Sequence, residues 1–104
     1  MLTEFENWFN ANATRLRARN CAVTLARPAS KTDNNCAYAE IETENYLARA
    51  TIWESGEFQR EAIDPDTGES ALYEYKILHQ ADELYDSLEA FIESLLGAVS
   101  IQTA

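Results

Sequence analysis

The residues that could do covalent or metal chemistry in this chain are few: one histidine, His79, and two cysteines, Cys21 and Cys36, in 104 residues. A Cys–His nucleophile needs a thiol activated by a neighbouring base, but neither cysteine sits in an activating motif, and each flanks or enters a stretch with strand periodicity. They read as small buried hydrophobes with free thiols. No repeated Cys-x-x-Cys or His–Cys–Cys pattern supplies a zinc ligand set, and no phosphate-cradling glycine loop or nucleophile elbow is present. Asp64-Pro65-Asp66-Thr67-Gly68-Glu69 superficially resembles an oxygen-rich calcium loop. It places glycine at the fifth position and lacks the closing glutamate, so it reads as a turn. Asp82, Glu83, Asp86, Glu89 and Glu93 line one flank of a helical stretch, where solvation explains carboxylates without a histidine or a pocket beside them. His79 reads as a helix-start or interface residue. An enzyme is not expected, and neither a metal nor a cofactor is implied.

Charge is the stronger signal. Eighteen acidic residues stand against eight basic ones, a net charge of -10. Such a surface repels nucleic acid and anionic membranes, and it favours a basic protein partner. The charge is also uneven. Residues 1–32 hold two acids against five bases, or +3, while residues 33–104 hold the other 16 acids against Arg49, Arg60 and Lys76, or -13. A broad negative surface should therefore come from the later strands, the turns and the final helix.

The elements that must position these groups follow from periodicity. Leu2, Phe5, Phe9, Ala13 and Leu16 recur at helical spacing over about Thr3–Arg19, with Thr3 as N-cap, arginines near the end and Asn20 to stop it. Period two takes over from Cys21 to Ala26, and Pro28 ends that strand. Ser30–Asn35 reads as a loop. Strands follow over Cys36–Glu42 and Tyr46–Trp53, from Phe58 onward, and over Ser70–Ile77. Turns fall at Glu44-Asn45, at Glu54–Glu57 with Gly56, and at Asp64–Gly68. Ala81, Leu84, Leu88, Phe91, Leu95 and Val99 then mark a second amphipathic helix, with Gly97 as a break near its end.

Short connections between successive strands forbid parallel crossovers, so the expected architecture is α+β. A two-layer sandwich places an antiparallel four- or five-stranded meander beneath an N-terminal and a C-terminal helix that pack on one sheet face. Residues 1–104 form a single domain of this kind, large enough for one core only. The helices should cover Val23, Leu25, Ala37, Ala39, Ile41, Ala48, Ala50 and Ile52. The other face should carry Tyr38, Leu47, Arg49 and Trp53, some of Tyr73, Tyr75 or Phe58, and the glutamates Glu40 and Glu42. An uncovered aromatic and acidic sheet face suits protein binding, because aromatics give rigid apolar contact and carboxylates select cations.

The initial aromatic helix with Trp8 and Phe9, the segment Ile52-Trp53-Glu54-Ser55-Gly56-Glu57, the strand residues Tyr73 and Tyr75, and the closing helix with Leu84, Tyr85 and Leu88 together resemble the TriTu family of bacterial immunity proteins. The resemblance spans most of the chain. It implies a non-enzymatic, cytoplasmic antitoxin that binds and neutralises one cognate polymorphic-toxin or effector domain, by covering its active site or by holding a required loop out of position. In that reading Trp53, Tyr38, Tyr73 and Tyr75 are apolar anchors, Glu40, Glu42, Glu54, Glu57 and Glu61 are charge selectors, and Arg49 lies among them.

Met1–Glu6 is acidic and no apolar run follows, so a standard export leader is not expected, and two cysteines suit a reducing compartment. No stretch is long and apolar enough to span a bilayer. A small acidic adaptor or secretion-type chaperone, dimerising through the sheet or terminal helix, is the alternative from another class. A small-molecule enzyme would require a pocket joining His79 to carboxylates or Cys36.

Overall fold

In a computed structural model of the chain, residues 1–28 and 34–103 are described, with side chains to residue 97. Seven elements follow one another: α1 (Leu2–Ala18), β1 (Ala22–Ala26), β2 (Cys36–Glu42), β3 (Leu47–Trp53), β4 (Glu57–Ile63), β5 (Ser70–Ile77) and α2 (Ala81–Thr103). The strands form a five-stranded sheet in the order β1-β2-β3-β4-β5, antiparallel throughout. This is the expected meander with both helices on one face.

Helix α1 buries Leu2, Phe5, Phe9 and Leu16. It begins one residue before Thr3, because burial of Leu2 draws the first turn inward: Met1 takes the cap position without a side-chain bond, and the Phe5 N–H donates to the Met1 carbonyl at 3.0 Å. Its end is specified as the sequence suggests. Asn20 adopts φ 61°, the left-handed conformation that asparagine tolerates better than most residues. The Cys21 N–H then reaches back to the Leu16 carbonyl at 3.0 Å, and the Asn20 N–H reaches the Arg17 carbonyl at 3.0 Å. That double bond pattern closes the helix and points buried Cys21 toward the core.

Register decides which side chains meet the helices. Ala39 stands opposite Leu25 and Ala50, and Ile41 stands opposite Val23 and Ala48, so the small residues line up across the centre of the covered face. Ala37, Ala39, Ala50 and Ile52 are fully sealed, and Val23 and Leu25 pack against that core half-buried. Alanine here lets the helix axes approach the sheet closely, with Phe5, Phe9, Leu84, Leu88 and Phe91 filling the space. Phe58 belongs to this layer. It pairs with Ile52 and is completely buried, so it is a core residue and not an open-face aromatic.

Arg60 is an unexpected member of the covered side. It lies beneath α2, donating to the Ser87 carbonyl at 3.1 Å and to Glu74 at 2.9 Å, with its guanidinium 5.7 Å from the Phe91 ring centre. A cation this enclosed needs such partners, because desolvation without them costs several kcal/mol. Lys76 approaches the other Glu74 oxygen at 3.1 Å. Two further ion pairs join elements: Arg15 of α1 holds Glu89 of α2 in a two-pronged contact at 2.9 and 3.1 Å within the helix layer, and Arg27 after β1 holds Glu6 of α1 across the layers.

The turns behave as their residues require. Gly56 has φ 94°, and a Cβ there would stand 2.4 Å from the Leu78 carbonyl oxygen, so only glycine fits this crossing of β4 and the end of β5. In the Asp64–Gly68 turn the Gly68 N–H donates to the Asp64 carbonyl at 2.7 Å, and the Asp64 side chain accepts from the Asp66 N–H at 2.8 Å. Gly97 does not break α2, which runs on to Thr103, since glycine inside a helix costs only about 1 kcal/mol. Residues 30–33 of the expected loop and the side chain of Val99 lie outside the described set. Asn34 and Asn35 fasten the β3–β4 turn: Asn34 accepts from the Ser55 N–H at 3.1 Å, and Asn35 donates to Glu54 at 3.2 Å.

Candidate functional site

Alternation along five strands sends one set of side chains away from the helices. Across the sheet this open face carries Thr24 on β1, then Cys36, Tyr38, Glu40 and Glu42 on β2, followed by Leu47, Arg49, Thr51 and Trp53 on β3. Glu57, Gln59, Glu61 and Ile63 continue it on β4, and Tyr73, Tyr75 and Ile77 complete it on β5. Among the described residues no helix or loop is packed over it. Of the ten residues expected to contact a partner, nine stand here together. Glu54 is the exception, lying in the turn beyond Trp53 at the rim.

Two clusters occupy the face. At its centre Arg49 places its guanidinium 4.4 Å from the Tyr38 ring centre and forms an ion pair with Glu40 at 3.2 Å. Glu40 and Glu61 stand directly opposite Arg49 on its two neighbouring strands. One arginine is thus set among Glu40, Glu42 and Glu61, leaving the group net negative. Glu40, Glu42, Leu47, Arg49, Glu61 and Ile63 ring a shallow depression of about 590 Å³. Its polar rim and apolar floor can hold a long cationic side chain, whose stem meets Leu47 and Ile63 while its head meets the carboxylates.

The second cluster lies toward β5. The Tyr75 hydroxyl donates to Glu57 at 2.7 Å, Ser55 donates to the same residue at 3.2 Å, and Asn34 donates at 3.4 Å. These donors hold the Glu57 carboxyl below the usual carboxylate range, the Tyr75 bond contributing most, and the same bond pushes the phenol of Tyr75 up. Tyr73, Tyr75 and Ile77 are 60%, 48% and 54% exposed, and Leu47 beside the depression is 42% exposed. Trp53 is half-buried opposite Cys36.

Cys36 stands on the open face, as the alternation of β2 requires, but it is only half-buried and not the buried hydrophobe expected, whereas Cys21 is buried and burial raises its thiol pKa. Sequence reasoning did not select Ile77, Ile63 and Gln59. Ile77 and Ile63 follow from carrying the same alternation through to the last two strands. His79 is exposed just before α2 and does not line the depression. Among the described residues no cluster of three or more histidine, cysteine or carboxylate side chains could hold a metal ion. The arrangement supplies contacts and charge.

The family model for immunity protein TriTu matches residues 3–94, from the second residue of α1 to well inside α2. The chain belongs to the TriTu immunity protein family. No curated protein matches it. As a TriTu member it is an immunity protein, a non-catalytic type whose partner is a cognate toxin. The match takes in every strand, α1 from its second residue and α2 as far as residue 94, so the sheet described above lies wholly within it. No described helix is long and apolar enough to cross a membrane.

Proposed function

We propose that this immunity protein neutralises its toxin by laying the open sheet face across the toxin's active site. The observation that carries the proposal is the uncovered face itself: rigid strands hold Tyr38, Trp53, Tyr73 and Tyr75 beside Glu40, Glu42, Glu57 and Glu61, with Arg49 as the one cation among the described residues of that face. Aromatic side chains give large contact area with little rotamer entropy to lose, and the carboxylates choose a basic partner and speed its approach. Glu54 at the rim adds to the same field. An active site built to grip an anionic substrate is cationic, so this face competes with that substrate for the same groups. Complex formation takes place in the cytoplasm, before the toxin can reach its substrate.

The experiment is inhibition kinetics with the cognate toxin domain. Occlusion requires that raising the toxin's substrate concentration weakens inhibition, and that combined Glu40→Lys, Glu42→Lys and Glu61→Lys substitution lowers the association rate at low salt. Inhibition independent of substrate concentration, with tight binding retained by the triple variant, would reject the proposal.

A further inference from the structure

The two edges of the sheet are built differently. Strand β1 spans five residues and runs into Arg27 and Pro28; Arg27 is held by Glu6, and Pro28 has no N–H to offer. Strand β5 spans eight residues and contains no proline. Its outer side pairs with no described strand.

The orientation of its backbone can be fixed. The Leu78 N–H donates to the Gly56 carbonyl at 2.8 Å, continuing the register in which Lys76 faces Phe58 and Glu74 faces Arg60. N–H and C=O groups of alternate residues point the same way along a strand. Those of Glu74 and Lys76 are therefore directed at β4, and those of Tyr73, Tyr75 and Ile77 are directed outward. The same three residues are exposed on the open face. This edge thus offers unpaired backbone groups and apolar side chains together, the combination that recruits another strand.

We propose that the occupant is a second copy of this chain, its β5 running antiparallel to the first across a two-fold axis at Tyr75. Residues that face each other across an antiparallel pair must direct their backbone groups alike, so a two-fold axis has to pass through a residue position. An axis at Glu74 sets Glu74 against its own copy. An axis at Tyr73 sets Glu74 against Leu72. An axis at Tyr75 sets Glu74 against Lys76 twice, Tyr73 against Ile77 twice, and Tyr75 against itself, so opposite charges meet and the exposed apolar side chains cover one another. In this register the Tyr75 and Tyr73–Ile77 positions exchange the hydrogen bonds. The Glu74–Lys76 positions fall at the closely spaced, non-bonded sites where side chains interact most. The dimer joins two five-stranded sheets edge to edge and leaves the central depression of each open.

Sedimentation of the purified full chain from 1 µM to 1 mM at 0.15 M salt tests this, because the two copies each carry -10 and need screening to approach. The expected result is a monomer–dimer equilibrium that Lys76→Glu weakens by about tenfold or more. Ile77→Pro should weaken it as well: that N–H points away from β4, and proline is tolerated at a sheet edge. Circular dichroism identifies variants that keep the fold. Amide exchange should show protection at Tyr73, Tyr75 and Ile77 that rises with protein concentration. A chain that stays monomeric throughout this range overturns the proposal, as does a dimer indifferent to both substitutions. A monomer whose β5 variants lose the toxin would instead assign the edge to a toxin strand.

Discussion

Tyr38 and Ala39 are neighbours in β2, yet Ala39 is sealed beneath the helices while Tyr38 stacks on a guanidinium at the open face. The contrast repeats along every central strand. The covered face is small at its middle and large at its margins, with alanines under the helix axes and Phe58, Ile41 and Ile52 around them. Its requirement is volume, and almost any polar group is excluded; Arg60 is admitted only because Glu74 and the Ser87 carbonyl receive it. The open face places no such limit on volume. Its residues are chosen by what they present, so one sheet separates stability from recognition by a period of two.

Substitutions can break that separation if it is wrong. The largest effect should come from Phe58→Ala, which empties a fully buried site and should cost about 3–5 kcal/mol by denaturant unfolding. Tyr73→Ala on the next strand should change stability by no more than about 0.5 kcal/mol. Equal costs at the two positions would dissolve the distinction between faces. Overpacking tests the same face from the other direction: Ala50→Leu should cost about 1–3 kcal/mol, because the helices have no room to withdraw without losing their other contacts.

Trp53→Ala asks the converse question. If Trp53 anchors the toxin, affinity measured by calorimetry should fall by about 2 kcal/mol while the unfolding midpoint moves little. A variant that binds normally would remove Trp53 from the interface.

The smallest effect concerns pH. Hydrogen bonds from Arg60 and then Lys76 hold the Glu74 carboxyl below its ordinary range, and Arg15 does the same for Glu89. A carboxylate with a lowered folded-state pKa contributes stability that is present at neutral pH and lost as pH falls out of the ordinary carboxylate range and through that lowered value. Glu89→Gln should therefore flatten the acid limb of the stability curve by well under about 1 kcal/mol, since the Arg15–Glu89 pair is solvent-exposed. An unchanged acid limb would show that the bridge between the helices contributes nothing to folding.

Much of the architecture was legible in the residues. Strict alternation in Ala37–Glu42 and Ala48–Trp53 placed the covered and open residues of β2 and β3 correctly, because a one-residue slip would bury Glu40 and Arg49. The Asp64–Gly68 and Glu54–Glu57 turns were marked by residues whose backbone preferences are local. The end of α1 at Asn20 was equally local. Phe58 was harder to place, since β4 mixes Arg60 with apolar neighbours and shows no clean alternation. The start of α1 went astray because capping chemistry favoured Thr3, while tertiary burial of Leu2 overrode it. At Gly97 a weak local breaker lost to a helix already nucleated by Leu84, Leu88 and Phe91.

The sequence by itself determined the order of elements, the antiparallel path and the two contrasting strand faces, since each depends on side-chain periodicity or on turns a few residues long. Only the tertiary structure decided that Arg60 lies beneath α2 with Glu74, that Cys36 is no more than half-buried, and that Asn34 and Asn35 clasp a turn nineteen to twenty-one residues away. These are contacts between segments far apart in the chain. Their energies depend on which surfaces packing brings together, and no local pattern encodes that.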